Sequence, residues 1–94
     1  MKELFDIVSK KCSKQVTETY STSFSLATRM LGPAIRQDIY NIYGFVRFSD
    51  EIVDSFHDYN KGVLFGRFEN ALDEALLDKI SLNPILNSFQ ETVH

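Results

Sequence analysis

Asp50 and Asp54 stand four residues apart, with Arg47 three residues before the first of them and Tyr43 seven before it. At about 100° per residue all four fall within about 60° of one another on a helix. Two carboxylates at this spacing share one face, about one turn apart. Hard cations such as Mg²⁺ take oxygen ligands, often through one or two carboxylates, with water and substrate phosphate completing the shell. Arg47 adds a planar fork suited to diphosphate oxygens. Metal and arginine together would stabilise the charge on a departing diphosphate. The same spacing also occurs on solvated helices, where Arg47 and Asp50 would form a surface ion pair contributing under about 1 kcal/mol.

The surroundings of the stripe favour the first reading. Ile39, Ile42, Val46 and Val53 lie on one flank, and Phe45, Phe48 and Ile52 on the opposite side. A helix apolar over most of its circumference is expected to be buried. Charges are almost never buried unless paired or bound to metal. Both facts are met if the stripe lines a polar cavity inside a helical bundle.

The elements that must position this stripe are all helical. Leu4, Phe5, Val8, Cys12 and Val16 follow helical spacing and predict a first helix over residues 3–18 with these on its apolar face. Ser21-Thr22-Ser23 favours a cap or turn, because hydroxyl side chains compete for backbone groups. A short helix from Phe24 to Leu31 follows, ended by Gly32-Pro33, with the proline in the first turn of the next. The third helix runs from about Ala34 to Phe56, and Asp58 to Gly62 is a turn cluster. A fourth spans about Val63 to Ile80, with Leu64, Phe65, Phe68, Leu72, Leu76 and Leu77 on its apolar face, part of it exposed and prone to self-association. Ser81 to Pro84 is a second break. A fifth helical pattern starts at Ile85 and reaches His94 without a stop signal, which suggests truncation. No strand signal appears, so the fold class is all-α.

Composition narrows the function. The chain has 94 residues, 44% of them hydrophobic, and a net charge of −3 with its ten basic residues dispersed, so a basic nucleic-acid-binding stripe is absent. The single cysteine, Cys12, has no internal partner and no zinc-ligand spacing, and reads as a small core residue. No apolar run approaches the roughly 18 residues of a spanning helix, and Met1 to Asp6 lacks signal-peptide order. A cytoplasmic protein is expected, with peripheral membrane contact as the alternative. Lys10, Lys11 and Lys14 form a basic edge best read as a solvated face. His57 reads as a helix C-terminal residue favoured by the dipole, and not as a metal ligand.

The residues together resemble a known family. Tyr20-Ser21-Thr22-Ser23-Phe24-Ser25 is similar to the (His/Tyr)-Ser-x-Ser-Phe segment of squalene, dehydrosqualene and phytoene synthases. Tyr43 to Asp54 is similar to their first aspartate-rich helix, Tyr-x-x-x-Arg-x-x-Asp-x-x-x-Asp. The resemblance runs from about Cys12 to Asn87. It implies the N-terminal helices of an isoprenoid synthase-type bundle around a central cavity, with two aspartate-rich motifs holding Mg²⁺, or Mn²⁺ in its place, against a prenyl diphosphate. Carried over, Asp50 and Asp54 would be metal ligands and Arg47 a diphosphate contact. Ser21, Ser23 and Tyr20 would close over the diphosphate. Tyr43 would face carbocation character, and Phe24 and Thr28 would line the prenyl channel.

The implied reaction joins two prenyl diphosphates head to head through a cyclopropylcarbinyl diphosphate. The likeness of Tyr43–Asp54 to bacterial carotenoid enzymes favours geranylgeranyl diphosphate and phytoene. The alternatives are a farnesyl-using squalene or dehydrosqualene synthase (NADPH being needed only for squalene) and a non-catalytic helical binding module. The family's second aspartate-rich motif has no counterpart here, because Asp73, Glu74 and Asp78 fall on the exposed side of the fourth helix. The expectation is that residues 1–94 are the N-terminal part of a longer catalytic domain and inactive alone.

Overall fold

The structure, a computed structural model, describes all residues from Met1 to His94. Five helices account for the fold: α1 (Lys2–Tyr20), α2 (Thr22–Thr28), α3 (Pro33–Asp54), α4 (Lys61–Asp78) and α5 (Pro84–Val93). No residue is in a strand. Each boundary lies within about three residues of its sequence-based expectation and has a chemical cause. Ser21 ends α1 and caps α2, its Oγ accepting from the Phe24 amide at 3.2 Å. Pro33 opens α3, where a missing amide hydrogen costs nothing. Asn60 and Asn83 cap α4 and α5 with their side-chain oxygens. Lys79, in the left-handed region at φ 59°, stops α4.

Helices α1, α3 and α5 pack on one another, α4 lies against α3 and α5, and α2 lies against α1. The two sides of this arrangement differ in chemistry. Between α3, α4 and α5 the core is apolar. Ile52, Phe68, Ala75 and Leu86 are buried there, and Phe45 and Phe48 pack against them. Aromatic stacking continues through it: Phe45 lies 4.0 Å from Phe89 and 5.8 Å from Phe68, centroid to centroid.

Between α1, α3 and α5 the interior is polar and small. Ser9, Ser13, Thr17, Asn41, Asn87, Ser88 and Gln90 are all buried. The first helix therefore turns a different face inward from the one its apolar spacing predicts. Leu4, Ile7 and Val8 are exposed, while Phe5, Cys12 and Val16 are only half-buried. The reason is close approach together with hydrogen-bond satisfaction. The Ser9 and Thr17 hydroxyls donate to the Phe5 and Ser13 carbonyls one turn back. The Asn87 amide donates to Asp6 and Ser9, and the Ser13 and Ser88 hydroxyls bond each other. Buried polar groups cost little once paired in this way.

Gly44 makes the approach possible. A Cβ there would lie 3.1 Å from the Ser13 Oγ and 3.2 Å from its Cα, so that even a methyl group would press α1 back by a few tenths of an ångström. Gly44→Val is expected to destabilise the chain by about 1–3 kcal/mol, the usual cost of overpacking. Urea unfolding measures it, and an unchanged midpoint would show that α1 and α3 separate freely.

The fourth helix is better covered than its pattern suggests. Phe68 is buried, Phe65, Leu72 and Leu76 are half-buried, and only Leu77 and Val63 on that face stand exposed. The larger unpartnered apolar face is on α3 instead, where Ile35, Ile42, Val46 and Val53 are open to solvent. No helix is long and apolar enough to cross a membrane.

Candidate functional site

Tyr43, Arg47, Asp50 and Asp54 form one stripe along α3, as their spacing requires. The stripe runs beside the exposed apolar side of the helix. Asp50 and Asp54 are themselves exposed, so the expected enclosed cavity is not formed by these five helices. The physical reason is plain: α1, α4 and α5 cover the Phe45, Phe48 and Ile52 side of α3, and none of them covers the other.

Tyr43 is half-buried, its ring stacked on Phe24 of α2 at 4.9 Å and 23°. Phe24, Ile39, Ile42, Tyr43 and Val46 line an apolar groove of about 200 Å³. Thr28 does not reach it. Thr28 is buried, and its hydroxyl donates to the Phe24 carbonyl at 2.8 Å. Ser21 is engaged as the α2 cap, and Ser23 is exposed in the first turn of α2.

Arg47 has a partner that spacing from the aspartates did not reveal. Its Nη2 donates to Glu51 Oε2 at 2.8 Å, and its Cζ lies 4.7 Å from the Tyr20 ring centroid. The ordinary pairing of Arg47 with Asp50 is thus replaced by pairing with Glu51. Neither Asp50 nor Asp54 enters an ion pair. The signal that could have found Glu51 is its own i+4 spacing from Arg47. His57 lies past the end of α3, its amide bonded to the Ser55 carbonyl, and is exposed.

The charges respond to this arrangement. The Arg47 guanidinium beside Glu51, and next the Ser55 hydroxyl, hold the Glu51 carboxyl below the usual range. Lys2, and then the Asn87 amide, do the same for Asp6. A carboxylate depressed in the folded state contributes stability that is complete above its unfolded pKa, about 4. That contribution is lost as pH falls through the lower folded value. Thermal unfolding is therefore expected to be insensitive to these groups from neutral pH to about 5, then to drop on acidification. Asp6→Asn should flatten part of that drop, and identical acid limbs for both chains would rule the linkage out.

The donor set fits a divalent cation. Two unpaired carboxylates one turn apart on an open face suit an ion that takes one or two carboxylates and fills its shell with water and phosphate. No three His, Cys, Asp or Glu side chains converge to hold a metal unaided.

Helices without a strand, carrying an acidic stripe beside an apolar groove, define the class as an all-α isoprenoid synthase-type bundle. The family model described as squalene/phytoene synthase matches residues 17–94. The chain belongs to the squalene/phytoene synthase family, prenyltransferases that act on prenyl diphosphates with a divalent metal. No curated protein and no solved structure matches it significantly.

Proposed function

We propose that this chain supplies the diphosphate-binding wall of a head-to-head prenyl synthase that converts geranylgeranyl diphosphate to phytoene. The observation that carries the reading is a juxtaposition on α3. The unpaired carboxylates of Asp50 and Asp54 adjoin the apolar groove of Phe24, Ile39, Ile42, Tyr43 and Val46. An amphiphile with a highly charged head and a hydrocarbon tail matches that pair of surfaces.

In this reading Asp50 and Asp54 hold Mg²⁺, which when bound neutralises charge on the diphosphate. Arg47 takes diphosphate oxygens through its free N–H groups. Ser21 and Ser23, at the α1–α2 corner, close over the same head. The face of the Tyr43 ring, backed by Phe24, lies towards developing positive charge on the prenyl chain. The groove orients the tail and keeps water from it. The chain carries one acidic motif and one wall, so the reading assigns turnover to a longer polypeptide of which residues 1–94 are the N-terminal portion. Phytoene as product rests on the likeness of the Tyr43–Asp54 segment to carotenoid enzymes. Squalene or dehydrosqualene from farnesyl diphosphate is the other product in the same chemistry.

Calorimetric titration with the non-hydrolysable geranylgeranyl thiodiphosphate tests the proposal. Saturable binding in Mg²⁺, lost on chelation and weaker for inorganic pyrophosphate, is expected. Equal binding with and without Mg²⁺ would reject the metal role. Hydrocarbon formed by the 94-residue chain alone would reject the assignment of turnover to a longer polypeptide.

A further inference from the structure

Arg47 is held from two sides by groups on two helices. Glu51, one turn further along α3, accepts from Nη2 at 2.8 Å. Tyr20, the last residue of α1, places its ring 4.7 Å from the guanidinium carbon. Tyr20 is itself fixed by the corner at Ser21, which ends α1 and caps α2. An isolated surface ion pair between residues four apart would do little. Here the Arg47 side chain is only 28% exposed and that of Glu51 only 23%. The Nε of Arg47 is buried and has no acceptor. A buried N–H without a partner is costly, so the guanidinium is held under strain by its two neighbours rather than fully satisfied by them.

The ion pair therefore takes Nη2 and the ring takes one face of the guanidinium, while Nε has no acceptor within the protein. We propose that Tyr20 and Glu51 are positioning residues that hold Arg47 in one orientation, so that the N–H groups of its guanidinium not taken by Glu51 are available to a diphosphate. The inference rests on the diphosphate reading above and adds two residues that act through Arg47. Tyr20 thereby takes a role different from closing over the diphosphate itself. Its aromatic face matters more than its hydroxyl, because attraction of a cation to a ring is a property of the ring face and the hydroxyl adds only the smallest of the influences on Glu51. For Glu51 the acceptor oxygen matters and the negative charge does not. The charge alone would repel a diphosphate, so the two effects have opposite signs.

The experiment is a titration of the chain with pyrophosphate in Mg²⁺, followed by calorimetry and by the Arg47 Nε–Hε resonance in ¹⁵N-labelled protein. In the unaltered chain that resonance is expected to be sharp and to shift as binding saturates. Tyr20→Phe and Glu51→Gln, which keep ring and acceptor, should bind within about 2-fold of the unaltered chain and keep the sharp resonance. Tyr20→Leu and Glu51→Ala should broaden it and weaken binding by roughly 2- to 10-fold, the cost of ordering one long side chain on binding.

Glu51→Ala binding as tightly as the unaltered chain, or tighter, would make Glu51 a competitor for Arg47 and overturn the inference. So would a resonance that stays put while pyrophosphate saturates the unaltered chain, a result that does not depend on any variant folding. Undiminished binding by Arg47→Ala, or no binding by the unaltered chain, would instead defeat the diphosphate reading from which the inference starts.

Discussion

The double substitution Asp50→Asn with Asp54→Asn is expected to abolish Mg²⁺-dependent binding of a prenyl thiodiphosphate while leaving the fold intact. Both carboxylates are exposed on α3 and make no ion pair, so neither contributes appreciably to packing. Interactions with charged groups contribute about 1.5–3 kcal/mol each. Removing two charged ligands should then cost roughly 3–6 kcal/mol of affinity, or about 10²- to 10⁴-fold. Asparagine keeps the size and an acceptor oxygen but not the charge. The single variants should fall in between, and their losses need not add, since both act on one site. Calorimetry in Mg²⁺ measures the loss, and circular dichroism checks the fold. A double variant that binds as the parent chain does would show that the stripe is a solvated surface and nothing more.

Leu86→Ala is expected to produce the largest loss of stability. Leu86 is completely buried, and it joins Ile52, Phe68 and Ala75 where α3, α4 and α5 meet. Truncating such a leucine removes its transfer free energy and leaves a cavity, together about 2–5 kcal/mol. A chain of 94 residues has about 5–14 kcal/mol in all. One substitution therefore removes a large share of the total. Urea unfolding should show a lower midpoint with little change in slope, since the slope follows the surface exposed on unfolding. A shift worth less than about 0.5 kcal/mol would mean that α5 does not close the apolar core. The effect also bears on the site indirectly, because the same cluster holds the Phe48 and Ile52 side of α3 and so fixes which side faces outward.

The comparison of Gly44 with Leu86 separates two ways in which this small bundle is held. On the α4 side, large apolar groups exclude water. On the α1 side, a glycine, four hydroxyl residues and an asparagine allow helices to approach and then satisfy one another. Helical periodicity of hydrophobic residues describes the first kind of contact and misses the second. Ser9, Ser13 and Thr17 are spaced four apart as regularly as any leucine stripe, yet nothing in their chemistry demands burial. Only the partners on α3 and α5 make their burial favourable.

The sequence by itself determined the all-helical class, the five helices, the breaks between them at Ser21–Ser23, Asp58–Gly62 and Ser81–Pro84, and the shared face of Tyr43, Arg47, Asp50 and Asp54. These follow from local rules, namely side-chain period, capping chemistry and the backbone limits of proline. The family, too, could be recognised from the motifs, because they are contiguous stretches. Tertiary structure alone decided which face of α1 turns inward, that Thr28 packs inside, and that the acidic stripe stands open. It also decided that Arg47 is held by Tyr20 and Glu51. Tyr20 is 27 positions from Arg47, and their contact depends on the angle at which α1 crosses α3. That angle is set by small residues at the crossing, where a change of one methyl group would move the helices apart.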